Sequence, residues 1–290
     1  MAASLPILVE ELSKSYPSRM GLRRFPALKN LSFHLEAGEI LGFLGPNGAG
    51  KTTTMKCLLG LLKPTSGGIS VMGHRPGSSG ARACLGYVPE NPDYDDSLTP
   101  LELLRLLAAM RGFDSGERVL KALLARVGLA GWEQTRMKRF SKGMKQRAAL
   151  AAALLGSPSL LIMDEPTGGL DPAARKEFRD IMLEENSRGA SILLSSHILS
   201  EVETICSRAV ILARGRLVRE GSMSSLLSIE DTYRIRASCS GSLVEEDIPT
   251  GELQSRIDSL RASGCEIVEV ARNYATLEEV FLAATGSDSG

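Results

Sequence analysis

The chain has 290 residues, with 34 Lys and Arg set against 34 Asp and Glu, so its formal net charge is zero. The 43% hydrophobic fraction supplies a buried core and excludes global disorder. The neutral total argues against nucleic-acid binding by bulk charge, and the length predicts one large domain, or one of about 200 residues with an appendage.

The five cysteines (Cys57, Cys84, Cys206, Cys239 and Cys265) are widely spaced and form no C-x-x-C. They read as buried small hydrophobes in a reducing compartment, with neither a disulfide framework nor a zinc site expected. No basic segment precedes the first apolar stretch, so no secretory signal is expected. The richest apolar run, 148–163, is broken by Gly156, Ser157, Pro158 and Ser159. A spanning helix needs about 18 unbroken apolar residues, so the chain is expected to be soluble and to reach any membrane through another polypeptide.

In chain order, Ile7 to Leu12 is an apolar strand candidate, and Leu31, Phe33 and Leu35 alternate with polar residues as in a half-buried strand. Residues 36–39 form a turn, Ile40 to Leu44 a buried strand, and Thr52 to Leu62 a helix stopped by Pro64. Between that strand and helix lies Gly45-Pro46-Asn47-Gly48-Ala49-Gly50-Lys51-Thr52, followed by Thr53. It matches G-x-x-x-x-G-K-[ST], the phosphate-binding loop. Glycines let successive N–H groups face one anion, the helix start adds its positive end, Lys51 supplies a full charge, and the Thr52 hydroxyl can ligate Mg²⁺. A chance match is expected roughly once in a hundred such chains at ordinary glycine content, so a nucleoside triphosphate site is expected.

The stretch 91–139 is expected to be helical throughout, as a separate lobe. Thr99-Pro100-Leu101-Glu102 is a capping box ahead of a Leu103, Leu104, Leu107 and Met110 stripe, and Asp114 to Glu117 starts a second helix running to Gly128. An alanine-rich helix then leads to Leu160-Leu161-Ile162-Met163-Asp164-Glu165, a buried strand delivering two carboxylates at its C-terminal edge. Asp164 is assigned to Mg²⁺ and Glu165 to polarising the attacking water. Asp171-Pro172 caps a helix ending near Gly189, Ile192 to Leu194 is another buried strand, and Val210 to Val218 reads as a hairpin around Arg214-Gly215. Beyond Gly221 the composition becomes more polar, and a small appendage is expected.

With these motifs in place, Phe140-Ser141-Lys142-Gly143-Met144-Lys145-Gln146-Arg147 resembles the signature segment of ATP-binding cassette (ABC) ATPases, here of the stand-alone, bacterial exporter-like kind. The resemblance spans about Ile7 to Gly221. It implies an α/β fold: a P-loop ATPase core with a mixed sheet and RecA-like lobe, an antiparallel β subdomain, and an α-helical subdomain at about 91–145. An ATPase domain over 1–222 and a small α+β accessory region over 223–290 follow. It further implies that Ser141, Lys142, Gly143 and Met144 grip ATP held by a second, facing copy, and that Asp171 communicates across that dimer. Tyr16 stands where an aromatic stacks on adenine, although Phe25 competes for that place. Glu90, at the end of Gly86-Tyr87-Val88-Pro89-Glu90, matches the segment near Mg²⁺ and the membrane partner, and His197 the switch histidine.

Three features depart from the commonest pattern: Lys142 in place of glycine, Glu90 in place of glutamine, and the basic loop between Tyr16 and Ala27. The closing segment Tyr274 to Leu282 is similar to that of ABC subunits pairing with exporter-type permeases. The implied protein is the ATPase subunit of a transporter, taking ATP and Mg²⁺. It would work as a homodimer with integral membrane permease subunits, without nucleic acid, peripherally at the cytoplasmic face of the cell membrane. The alternatives are a ribosome- or chromosome-associated ABC ATPase and a regulatory nucleotide-binding module.

Overall fold

Two local rules shape the first 220 residues: short unbroken apolar runs become buried parallel strands, and alternating runs become strands with one wet face. The computed structural model describes residues 5–17, 24–113, 116–227, 229–239, 242–274 and 276–286. The centre of the basic loop, 18–23, and the expected helix start at Asp114 and Ser115 lie outside the described residues. The chain divides into two compact units, Met1–Glu220 and Gly221–Gly290.

In the first unit, β1 (Ile7–Pro17) and β2 (Arg24–Leu35) pair antiparallel, with Ile7 opposite Leu35 and Tyr16 opposite Phe25. β3 (Ile40–Leu44), buried at every residue, enters the glycine-rich loop and α1 (Lys51–Leu58). β4 (Ser66–Val71) joins the free side of β1, giving a β2-β1-β4 sheet. Then come α2 (Ser79–Cys84), β5 (Leu85–Val88), α3 (Pro100–Arg111), α4 (Glu117–Arg126) and α5 (Lys142–Leu154). β6 (Leu160–Asp164), α6 (Pro172–Ser187), β7 (Ser191–Ser195) and α7 (Leu199–Ile205) follow. A hairpin of β8 (Arg208–Ala213) and β9 (Arg216–Ser222) ends the unit.

The second sheet has the order β5-β6-β7-β3-β8-β9, and its first five strands run parallel. Parallel strands end on the same edge, so the chain leaving β3, β5, β6 and β7 converges there. One apolar cluster joins Val9 and Leu12 of β1, Phe33 of β2 and Met55 of α1 to Phe43, Ile162 and Val210 of the parallel sheet. The Phe33 and Phe43 rings sit 5.0 Å apart, tilted by 39°. Burying each such large side chain contributes roughly 1.5–3 kcal/mol. The core therefore lies between the two sheets, around α1.

Several local expectations needed correction. The first helix stops at Leu58, because the chain turns at Gly60 and the Leu61 and Leu62 amides both return to the Lys56 carbonyl. The lobe is not helical throughout. Residues 91–99 form a loop in which the Ser97 amide donates to Asp95 Oδ1 at 2.8 Å, a side-chain turn that competes with helix. The α3 capping box forms as expected, with Thr99 Oγ1 and Glu102 exchanging hydrogen bonds. Met110, placed in its apolar stripe, is instead 75% exposed.

The second unit contains α8 (Met223–Leu226), β10 (Ile229–Cys239), β11 (Ser242–Pro249), α9 (Leu253–Ala262), β12 (Glu266–Tyr274) and α10 (Leu277–Gly286). Its antiparallel sheet, ordered β11-β10-β12, buries Ile235 and Ala237 together with Leu260 of α9. Arg234 pairs with Asp247, and Arg236 with Glu245 and Glu269. The expectation of no disulfide is overturned here, as Cys239 is bonded to Cys265. Their 26-residue separation hid the pair. The β10–β12 register sets Ser238 against Glu266, and the next residue on each strand's open end is a cysteine. Cys57 and Cys206 are free and buried, and Cys84 is free and half-buried.

Candidate functional site

The glycine-rich loop is held from behind. Gly50 caps α1 at φ 111°, and a Cβ there would fall 2.6 Å from Leu28 Cδ2, so only glycine fits. The free N–H groups of the first turn of α1 open at the mouth of the loop. The Ala49 carbonyl accepts from the Gly215 amide at 3.0 Å, and the Gly215 carbonyl accepts from the Lys29 amide at 2.8 Å. Arg214 and Gly215 have φ 51° and 79°, as a tight hairpin turn with two left-handed residues requires. The β8–β9 turn and β2 thus clamp the loop. Sequence reasoning found this turn but not its task.

Lys51 crosses the loop: its Nζ donates to the Gly45 carbonyl at 2.6 Å and lies 3.8 Å from Glu165 Oε1. Asp164, at the end of β6, is only 3% exposed, accepts from the Ser195 hydroxyl at 2.7 Å and also bonds the Thr52 hydroxyl. Burial pushes its carboxyl above the usual range. The hydrogen bonds from Ser195 and Thr52 oppose the shift, and the charges of Glu165 and Glu90 reinforce it. Glu165 leaves the strand at φ 47°, a conformation uncommon for a residue with a side chain. It is pinned there, since its amide donates to both the carbonyl and the hydroxyl of Ser195 and its carbonyl accepts from the Gly168 amide. The turn breaks strand alternation, so Glu165 points into the open site while Asp164 stays beneath it. His197 Nδ1 lies 2.5 Å from Glu165 Oε2. Ser195 ties the Asp164 carboxylate and the Glu165 backbone to β7, and sequence reasoning assigned it nothing. Its signal was a polar residue ending a fully buried strand.

These groups surround an open cavity of about 610 Å³ lined by Pro46, Asn47, Gly48, Gly50, Lys51, Thr52, Thr53, Glu90, Glu165 and His197, and by Ala27, which was not anticipated. Gly45 and Ala49 support it from behind. Neither Tyr16 nor Phe25 is among the lining residues; they face each other across β1 and β2, 38% and 61% exposed. The signature residues also lie elsewhere. Ser141 caps α5 by accepting from the Met144 amide at 3.3 Å, Gly143 abuts Leu170, and the Lys142 side chain passes Gly169. Asp171 caps α6, accepting from the Ala174 amide at 2.8 Å. Ser141 and Lys142 are exposed. The arrangement therefore offers an anion cradle with a lysine, a cluster of hard oxygen atoms and a carboxylate–histidine pair, with a second free helix start set apart from them.

The family model described as ABC transporter matches residues 28–168, from β2 through the loop, the signature and the acidic end of β6. An uncharacterized ABC transporter ATP-binding protein of Nostoc is 36% identical over 95% of this chain and 88% of its own length. The Nod factor export ATP-binding protein I of Burkholderia thailandensis is 34% identical over 98% of both chains. The solved structure of an ATP-binding subunit of an ABC transporter superposes with a TM-score of 0.73, at 32% identity over 97% of this chain and 99% of that one. A dimeric ATP-binding cassette in a post-hydrolysis state, bound to ADP and Pi, superposes at 0.69 with 25% identity, over 75% of this chain and 98% of that one. No helix among the described residues is long and apolar enough to cross a membrane. A cradle, an acidic strand end and a signature helix in this order and on this fold leave one conclusion: the chain belongs to the ABC transporter ATP-binding proteins and is an ATPase of that family.

Proposed function

We propose that two copies of this chain close face to face around two ATP molecules and power export through separate membrane permease subunits. The observation that carries the reading is the separation just described. Lys51 and its loop can hold a triphosphate from one side, whereas the start of α5 faces outward with its own free N–H groups. Within one copy the α5 start does not line its own cradle, and a facing copy would supply the second grip. Hydrolysis then removes the shared γ-phosphate and lets the pair separate. Export is favoured by the likeness to a Nod factor export subunit over the full length of both chains.

Within each site, Lys51 and the α1 N–H groups bind the phosphates. The Thr52 hydroxyl and the Asp164 and Glu90 carboxylates are hard oxygen donors suited to Mg²⁺, which when bound neutralises phosphate charge. Glu165 takes the proton of the attacking water, and His197, hydrogen-bonded to it, orients Glu165 and reaches the γ-phosphate. Asp171 at the cap of α6 meets the facing copy. Adenine stacks on Tyr16 or Phe25, which are adjacent on the same hairpin.

The permease docks beside Glu90. Leu59, Leu61, Tyr87, Tyr94, Leu107 and Met110 line a largely apolar groove of about 710 Å³, which accounts for the exposed Met110. Burial pushes the hydroxyls of both tyrosines up to about 12, so they stay neutral in that groove. Residues 1–222 act as the ATPase domain and 223–290 as an accessory region, at the cytoplasmic face of the membrane. Glu165→Gln is the test. Phosphate release should fall at least about a hundredfold while ATP-driven dimers persist on gel filtration. Turnover at the wild-type rate would remove Glu165 as the base.

A further inference from the structure

Among the described residues, the side-chain oxygen of Gln146 is the one buried polar side-chain atom with no hydrogen-bond partner. Gln146 is 1% exposed, and its Nε2 donates to the Pro89 carbonyl at 3.1 Å while Oε1 meets nothing. A leucine or methionine would fill similar space and remove the unmatched Oε1, but would also take the donor from the Pro89 carbonyl, so the amide carries a desolvation cost for the sake of that one bond. What the donor grips is informative. Pro89 is bonded to Glu90, which lines the nucleotide cavity, and Gln146 lies five residues along α5 from Ser141, which caps the outward-facing start of that helix.

We propose that Gln146 is a positioning residue that locks the outward-facing start of α5 to the Glu90 wall of the cavity. The proposal rests on the dimer reading above, in which these two features serve different ATP molecules. The packing of α5 on β5 shows why a lock is needed. At the far end of β5, a Cβ on Gly86 would lie 2.2 Å from the Ala153 carbonyl, so helix and strand touch there backbone to backbone. From Gln146 to Ala153 the helix rises about 10.5 Å. From Gly86 to Pro89 the strand rises about 10 Å. The two elements therefore run antiparallel and meet at two matched points. The Gly86 contact is steric and fixes only their separation, whereas the Gln146 bond is directional and fixes how far α5 sits along β5. A second tie, the Lys145–Asp96 ion pair at 2.6 Å, is partly exposed and open to screening by salt. Gln146 is thus the more shielded of the two ties, and a shift of Glu90 carries the start of α5 with it.

The test uses Gln146→Leu and Gln146→Met in the full-length chain, each alone and combined with Glu90→Ala. The lost Pro89 bond and the removed unmatched oxygen act in opposite directions on stability, so the expected result is a thermal midpoint within a few degrees of wild type and ATP binding within about twofold. Steady-state kcat should fall about tenfold with little change in KM, the kinetic equivalent of one neutral hydrogen bond. In the Glu90→Ala background that tenfold loss should largely disappear, because both changes break one connection. An unchanged kcat, or a loss that persists in full beside Glu90→Ala, would each overturn the proposal, the latter by showing a structural bond only. The mutant cycle reads a tie within one chain. The dimer reading is tested separately, by whether wild-type turnover per copy rises with protein concentration.

Discussion

Ser195→Ala is the substitution whose effect the geometry defines most closely. The Ser195 hydroxyl is fully buried, donates to Asp164 at 2.7 Å and accepts from the Glu165 amide at 3.0 Å. The Glu165 amide keeps the Ser195 carbonyl at 3.2 Å, so the principal loss is the bond to Asp164. When Asp164 is ionised that bond is charge-assisted and contributes about 1.5–3 kcal/mol, against about 1 kcal/mol when the carboxyl is neutral. Burial holds the Asp164 pKa above its unfolded value, so its contribution to stability is full below the ordinary carboxylate range and declines as pH rises through the raised folded pKa. Ser195 opposes that decline by stabilising the ionised form. Its removal should therefore cost about 1–2 kcal/mol more near neutral pH than in acid. Urea unfolding of the wild type and variant at the two pH values measures the difference, and the acid limb of the ATPase profile should move to higher pH. An equal loss at both pH values, or a loss below about 0.5 kcal/mol near neutrality, would refute the reasoning.

Lys51→Ala should weaken ATP binding about tenfold to a hundredfold in a fluorescent-nucleotide titration, since one charge-assisted phosphate contact is lost, and undiminished binding would contradict the cradle. Gly215→Ala would place a Cβ 2.5 Å from the Ala27 carbonyl at positive φ, and should cost about 2–4 kcal/mol by thermal unfolding and weaken ATP binding as the loop loses its clamp. Gly38→Ala shares the left-handed backbone but meets nothing within 4 Å, so it should cost only about 1 kcal/mol; equal losses would rule out the steric account. Reducing the Cys239–Cys265 bond, which spans 26 residues, should destabilise the C-terminal unit by about 3.5 kcal/mol, seen as a thermal transition that moves with added thiol.

What could be read from sequence was whatever a few neighbouring residues decide. Thr99 and Glu102 form the capping box because both partners lie within one turn of helix. Ile40–Leu44 is a strand at the predicted bounds because five apolar residues leave it no wet face. Arg214-Gly215 makes a hairpin because two adjacent residues can adopt positive φ. The segments 91–99 and 59–62 were misread because a side-chain turn at Asp95 and the chain reversal at Gly60 override helical composition.

The candidate site divides in the same way. The loop, the paired acids and the capped start of α5 are contiguous motifs whose chemistry is carried by the order of residues, so the chain alone named them. That Ser195 holds the Asp164 carboxylate and the Glu165 amide, that the hairpin turn clamps Ala49, that Gln146 grips Pro89 and that Cys239 meets Cys265 required the folded chain. These partners stand 26 to 166 positions apart, and only strand order, register and the packing of α5 bring them within bonding distance. Local patterning determines which groups the protein possesses. Where they meet is decided by sheet topology, because a hydrogen bond depends on separation in space and carries no memory of separation along the chain.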